Sequence, residues 1–294
     1  MAISTVKLTL NGTEYNLTKN ISTGKWEATI SAPNRTSYAE NPDHCFHGVV
    51  KATDVAGNET TATVSDFPTL ALRVLEKVAP TITVIYPTAG AFITSSKPTF
   101  KWNVEDSGSG IDADSIKITI NETAITSGIT KTAITGGYSC EYTPSTALPE
   151  GSNTVEFDVD DNDGNSATQA SVTFKIDTVP PVLNVTSPVD GLITNNPSLN
   201  VVGTTNDATS SPVSVKVNGQ SVTVGGDGSF SKNITLTEGS NTVTVVATDS
   251  AGKSTTVTRT VTLDTSAPVI TSVSITPNPV DAGATYIITV EVSD

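Results

Sequence analysis

The chain repeats itself, and its two ends fall inside the repeat. Residues 79–178 and 179–266 read as two complete copies of one all-β unit. Residues 1–78 read as a third copy that lacks its first two strands, and residues 267–294 as the first two strands of a copy. A sheet short of two strands leaves backbone N–H and C=O groups and an apolar face uncovered. The repeat therefore constrains architecture and assembly before it says anything about ligand or reaction.

The copies align strand by strand. The first strand follows a proline: Thr81-Ile82-Thr83-Val84 after Pro80, Val182-Leu183-Asn184-Val185 after Pro181, and Val269-Ile270 after Pro268. The second reads Phe100-Lys101-Trp102-Asn103-Val104, Ser198-Leu199-Asn200-Val201-Val202 and Ile287-Ile288-Thr289-Val290-Glu291-Val292. The third reads Val6-Lys7-Leu8-Thr9-Leu10, Ile116-Lys117-Ile118-Thr119-Ile120 and Val213-Ser214-Val215-Lys216-Val217. Each third strand runs into an asparagine, and Asn11-Gly12 and Asn218-Gly219 are strong hairpin signals. Glu150-Gly151-Ser152-Asn153-Thr154-Val155 recurs unchanged from Glu238 to Val243. An Asp-x-x-Gly turn follows in every copy, at Asp54, Asp161 and Asp249. About seven short alternating strands per copy, with turn signals every 8–12 residues, predict Ig-like β-sandwiches. The joints Asp177-Thr178-Val179-Pro180 and Asp264-Thr265-Ser266-Ala267-Pro268 are short and contain proline, so the sandwiches are expected in tandem along an elongated, stiff rod.

These motifs resemble the bacterial Ig-like repeats of cell-surface proteins and of phage and prophage tails or fibres. The resemblance rests on the proline-opened first strand, the Glu-Gly-Ser-Asn-Thr-Val run, the Ala-Thr-Asp-x-Ala-Gly turns (Ala52 to Gly57, Ala247 to Gly252) and the Asp-Thr-x-x-Pro joints. It implies a spacer, stalk or binding module. The sandwich itself names no activity.

Composition narrows the partners. A formal net charge of −14 repels nucleic acid and anionic membranes. No apolar run approaches the length of a membrane span, and Met1-Ala2-Ile3-Ser4 starts no signal peptide. The expected location is extracellular, at a cell surface or in a virion, reached by release from the cytoplasm or as a piece of a longer exported protein. Cys45 and Cys140 lie in different copies, so neither copy holds an inter-sheet disulfide.

No residue is nominated as catalytic. The turn carrying Asp158, Asp160, Asp161 and Asp163 is rich enough in carboxylate for calcium, with Asp177 or Glu105 as further ligands from the joint region. It fails the EF-hand pattern, because Asp163 stands where glycine is required and Gln169 where glutamate is. The plainer reading is a solvated Asx turn. No other cofactor is expected. His44, Cys45 and His47 offer zinc-ligand chemistry, but strand geometry would send the two imidazoles to opposite faces. Glu105 and Asp106, as a carboxylate pair, read as a solvated loop. Tyr38 and Phe46, in the long loop 31–48, are the expected exposed aromatics for glycan or protein binding.

The leading expectation is structural. Residues 267–294 of one copy would supply the missing strands to residues 1–78 of another, head to tail, giving an open filament. Val269, Val273, Ile275, Ile287 and Thr289, or their neighbours, would be the donor residues. Val6, Leu8, Leu10, Trp26 and Ile30 would form the acceptor. The alternatives are an adhesion module that recognises a surface glycan, a surface protein or a phage tail protein, and an accessory segment of a carbohydrate-active enzyme.

Overall fold

A computed structural model describes residues 2–294. The described chain is built from strands, with no α-helix and one 3₁₀ turn, Pro68–Leu70. Thr, Val and Ile pack well on a pleated surface, and Gly, Asn and Asp punctuate the runs. At the hairpin turns Asn11, Asn121 and Asn218 take left-handed backbones, with φ of 47°, 45° and 48°. Glycine follows the first and third; Glu122 follows the second at φ 66°, a conformation unfavourable for a residue with a Cβ. The chain divides into two compact units. One holds the residues through Ala91 and Ser95–Ile176, the other Phe92–Thr94 and Asp177–Asp294.

In the first unit, the copy from residue 79 onward is a two-sheet sandwich. One sheet runs in the order Thr130–Ile134, Gly137–Tyr142, Phe100–Glu105, Thr81–Tyr86. The other contains Thr123–Ile125, Lys117–Ile120, Gly151–Asp158 and Ala170–Ile176 as successive neighbours. Alternation sends Phe100, Trp102 and Val104 inward and leaves Lys101 and Glu105 exposed. Trp102 lies opposite Val84 on one side and Cys140 on the other. Its ring packs at 4.8 Å on Phe157, and Phe100 meets Phe174 edge-on at 5.7 Å. These two aromatic pairs join the sheets.

The copy before it is built differently. Its main sheet runs Trp26–Glu27, Thr13–Lys19, Ile3–Leu10, Val49–Asp54, Glu59–Ala62. Among the described residues, the only other strands of this copy are the short pair Phe46–His47 with Ala71–Leu72. The buried cluster is Leu10, Phe46 and Val74, with Leu8 and Tyr15 against it. Val6 is also buried, while Trp26 and Ile30 are half-buried.

In the second unit, one sheet is Val182–Ser187, Ser198–Asn206, Ser229–Thr235. The other runs Leu192–Thr194, Ser254–Leu263, Gly239–Thr248, Ser214–Val217, Gln220–Val222. Leu192–Thr194 pairs in parallel with residues 261–263, whereas its neighbours pair antiparallel. Val201, Val215, Val217, Phe230, Val243, Val245 and Val261 fill the core. The unit ends in a hairpin, Val269–Thr276 with Ile287–Ser293, every residue of which is exposed.

The hairpin register corrects the expected donor set. Val273 faces Val290, Ile275 faces Ile288, and Ile270 faces Val292, so these six residues share one apolar face. Ile287 lies opposite Thr276, and Thr289 opposite Ser274, on the other face. The expectation was one residue out of step along the second strand, which reverses the face of every side chain on it. Ile288, Val290 and Val292 match Phe100, Trp102 and Val104 in the repeat, residues that are fully buried in their own sandwich.

Candidate carboxylate sites

The Asp-x-x-Gly turn builds nearly the same local structure three times. Asp54 Oδ1 accepts hydrogen bonds from the N–H groups of Ala56 (2.8 Å) and Asn58 (2.9 Å), and its Oδ2 accepts from the Asn58 amide (2.9 Å). Asp161 repeats this with the N–H groups of Asp163 (2.9 Å) and Asn165 (2.8 Å) and the Asn165 amide (2.7 Å). At Asp249 the residue four positions on is Lys253 rather than asparagine. The Lys253 N–H still reaches Oδ1 at 2.8 Å. No amide reaches Oδ2, which is buried without a hydrogen-bond partner.

Two of these turns join wider carboxylate groups. In the first unit, Glu76, Asp106 and Asp161 bring one oxygen each to within 4.8 Å of one another. Asp106 Oδ2 accepts from the N–H groups of Gly108 (2.9 Å) and Gly110 (2.7 Å), and the Ser109 N–H donates to Glu76. In the second unit, Asp177, Asp207 and Asp249 form a group of the same dimensions. Asp207 Oδ1 accepts from the N–H groups of Thr209 (2.8 Å) and Ser210 (2.7 Å). Asp177 is wholly buried; its Oδ1 accepts from the Val179 N–H at 3.2 Å and its Oδ2 has no partner.

Beside the first group, Asp163 ties the first copy to the second within their unit. Its side chain is fully buried and takes Arg73 Nη2 on Oδ1 at 2.5 Å. Thr36 Oγ1 (2.5 Å) and the Glu76 N–H (3.1 Å) donate to Oδ2. Burial pushes this carboxyl up, but the Thr36 hydroxyl, the Glu76 N–H and the Arg73 charge together hold it below the usual carboxylate range.

The structure redistributes the residues expected to bind. Of Asp158, Asp160, Asp161 and Asp163, only Asp161 enters a carboxylate group among the described residues. Asp158 instead accepts from Gln169 (3.0 Å) and lies 3.7 Å from Lys117, while Asp163 pairs with Arg73. Successive residues leaving the strand Gly151–Asp158 point apart, so four neighbouring aspartates do not converge. Asp177 enters the group of its own unit, and Glu105 enters none. The partners that matter, Asp106 and Asp207, immediately follow second strands. Their signal in the sequence was one acidic residue after the second strand in both copies.

Phe46 also needs correction as an exposed contact residue. It pairs in register with Leu72 and packs inward, 2% exposed. Tyr38 is half-buried, stacked on His44 at 4.1 Å with the Arg73 guanidinium 5.3 Å from its centre. His44 Nδ1 meets the Tyr38 carbonyl at 2.5 Å and His47 Nε2 meets Asp43 at 2.9 Å, so the two imidazoles serve separate partners.

Cys45 and Cys140 are free thiols. Burial pushes the Cys140 thiol up to about 11, against a smaller opposing effect of Lys131. A thiol titration at pH 8 should therefore count one reactive group in the folded chain, at Cys45, and two in denaturant.

Comparison with known families places these modules. Residues 89–178 match the family described as bacterial Ig-like domain, and residues 181–265 match glucodextranase, domain B. The chain is an Ig-like repeat protein. A curated relative of this Ig-like repeat protein is bacillopeptidase F of Bacillus subtilis (strain 168), 35% identical over 123 residues. That match covers 42% of this chain and 8% of the peptidase, so the chain spans a small part of its relative. Similar solved structures include the titin I-band fragment I67–I69 (TM-score 0.41, 14% identity, 89% of this chain and 88% of that one). Another is a structure of the fibronectin(III)-like modules of Clostridium thermocellum CbhA (TM-score 0.36, 16% identity, 63% and 94%). Among the described residues, no helix is long and apolar enough to cross a membrane.

Proposed function

We propose that this Ig-like repeat protein is a non-catalytic structural array, acting outside the cell, whose modules are completed by strands from a second copy. One observation carries the reading. The hairpin Val269–Thr276 with Ile287–Ser293 presents Ile270, Val273, Ile275, Ile288, Val290 and Val292 on one face, all at least 45% exposed. In the two complete copies the matching second-strand positions are core, with Phe100, Trp102 and Val104 in one and Leu199 and Val201 in the other, and first-strand residues such as Ile82, Val84 and Leu183 are half-buried. The sheet containing Ile3–Leu10 has no opposing sheet of that kind and buries only a small cluster. Seating the hairpin there would bury an apolar face on an apolar face, with main-chain pairing to set register. Repetition of the contact from copy to copy gives a filament.

Sedimentation and negative-stain microscopy test this. The intact chain should show concentration-dependent oligomers, and Val290→Glu should return it to monomer. A monodisperse intact chain at high concentration would sink self-assembly. The remaining reading would then be accessory modules of a longer exported protein, which the matches to a glucodextranase domain and to a bacillopeptidase support.

A further inference from the structure

Three carboxylates drawn from separate segments lie together in the second unit, at Asp177, Asp207 and Asp249. Two of their oxygens, Asp177 Oδ2 and Asp249 Oδ2, are buried with no hydrogen-bond partner. Burying a carboxylate oxygen without a donor is costly, and three carboxylates this close repel one another. Lys253, four residues after Asp249, forms no ion pair with any of the three among the described residues. In the two other turns an asparagine amide, Asn58 or Asn165, satisfies the oxygen that Asp249 leaves bare.

We infer that Asp177, Asp207 and Asp249 bind a calcium ion. The donor set is all oxygen, with no imidazole or thiolate, which suits a hard cation. Two oxygens on one calcium, each at about 2.4 Å, lie no more than about 4.8 Å apart, and this group meets that limit. Backbone carbonyls and water would supply the rest of the shell, since calcium takes six to eight ligands. Magnesium, which demands a tighter octahedron and sheds water reluctantly, suits the group less. Glu76, Asp106 and Asp161 leave no buried carboxylate oxygen unpartnered, so the inference does not extend to them.

The test uses the full chain, stripped with a chelator and titrated with calcium chloride in a calorimeter. The expected result is one site per chain, with a dissociation constant of about 0.1–1 mM, as in extracellular calcium modules. At 10 mM calcium the melting temperature of the third copy should rise by about 5 °C or more relative to chelator. Asp177→Asn and Asp249→Asn should abolish the binding heat and the shift; asparagine at 249 keeps an oxygen for the Lys253 N–H, and far-UV circular dichroism checks folding. Glu76→Gln should retain both. Absence of heat and of any melting shift in the wild-type chain at 10 mM calcium would overturn the inference without needing a variant. So would loss of binding in Glu76→Gln with retention in Asp249→Asn.

Discussion

Replacing Trp102 with alanine should unfold the second copy, or leave it unfolded at physiological temperature. Trp102 is fully buried and packs on Phe157 across the two sheets. It also sits between Val84 and Cys140 within its own sheet. Truncating such a residue removes the largest apolar surface in the core and leaves a cavity that rigid sheets cannot close. The expected loss is about 3–5 kcal/mol, a large part of the stability of a domain this size. Trp102→Phe should cost much less, because it keeps most of the contact and removes an indole N–H that has no partner. Denaturant melts followed by tyrosine fluorescence and circular dichroism would rank the variants. Equal stability of Trp102→Ala and wild type would show that the two sheets do not rely on this contact.

Asp163→Ala should be the second most damaging change, and its effect should cross a module boundary. The mutation strips Arg73 of its carboxylate partner and leaves Thr36 Oγ1 and the Glu76 N–H without theirs. Removing one partner of a buried pair costs about 3–5 kcal/mol; Arg73 is a third exposed, so about 2–3 kcal/mol is expected here. The first copy buries little else, so hydrogen exchange around Ser37 and Val74, which share backbone and side-chain bonds, should speed up most. Acid should mimic the mutation. A carboxyl held below its usual value in the folded chain stabilises at pH above the unfolded value, and that contribution is lost as pH falls through the folded value. Asp163→Ala should therefore be less sensitive to acid than wild type over the range below about pH 4. An unchanged acid profile would separate Asp163 from the joint.

The sandwich was legible because period-2 alternation and Asn-Gly, Asp-x-x-Gly and proline signals are local. Phe230 stands two residues after the turn glycine Gly228, as Trp26 does after Gly24 and Tyr138 after Gly136; Phe230 is buried and the other two are half-buried. The hairpin face was read one residue out along its second strand, since Tyr286-Ile287-Ile288 is apolar on both faces and pattern alone does not choose between them. Only the pairing of Val273 with Val290 does so. Phe46 misled for a related reason: the strand that buries it is two residues long, too short to show alternation. The carboxylate groups were half legible. Asp161 and Asp249 stand out within their turns, but Asp207 lies 42 residues before Asp249 in sequence, and nothing local links them. Meeting at one point is a property of the sandwich end, where loops from different strands converge.

The turn aspartates carry a consequence for how such arrays diverge. Asn58 and Asn165 close their turns on themselves, whereas Lys253 leaves a carboxylate oxygen bare. Asparagine and lysine codons differ only at the third base. A single silent-looking transversion thus converts one kind of turn into the other without touching a core residue or a strand register. Where the turn joins a carboxylate group, as at Asp161 and Asp249, lineages could set the ionic sensitivity of that repeat by point mutation while gene duplication goes on lengthening the array.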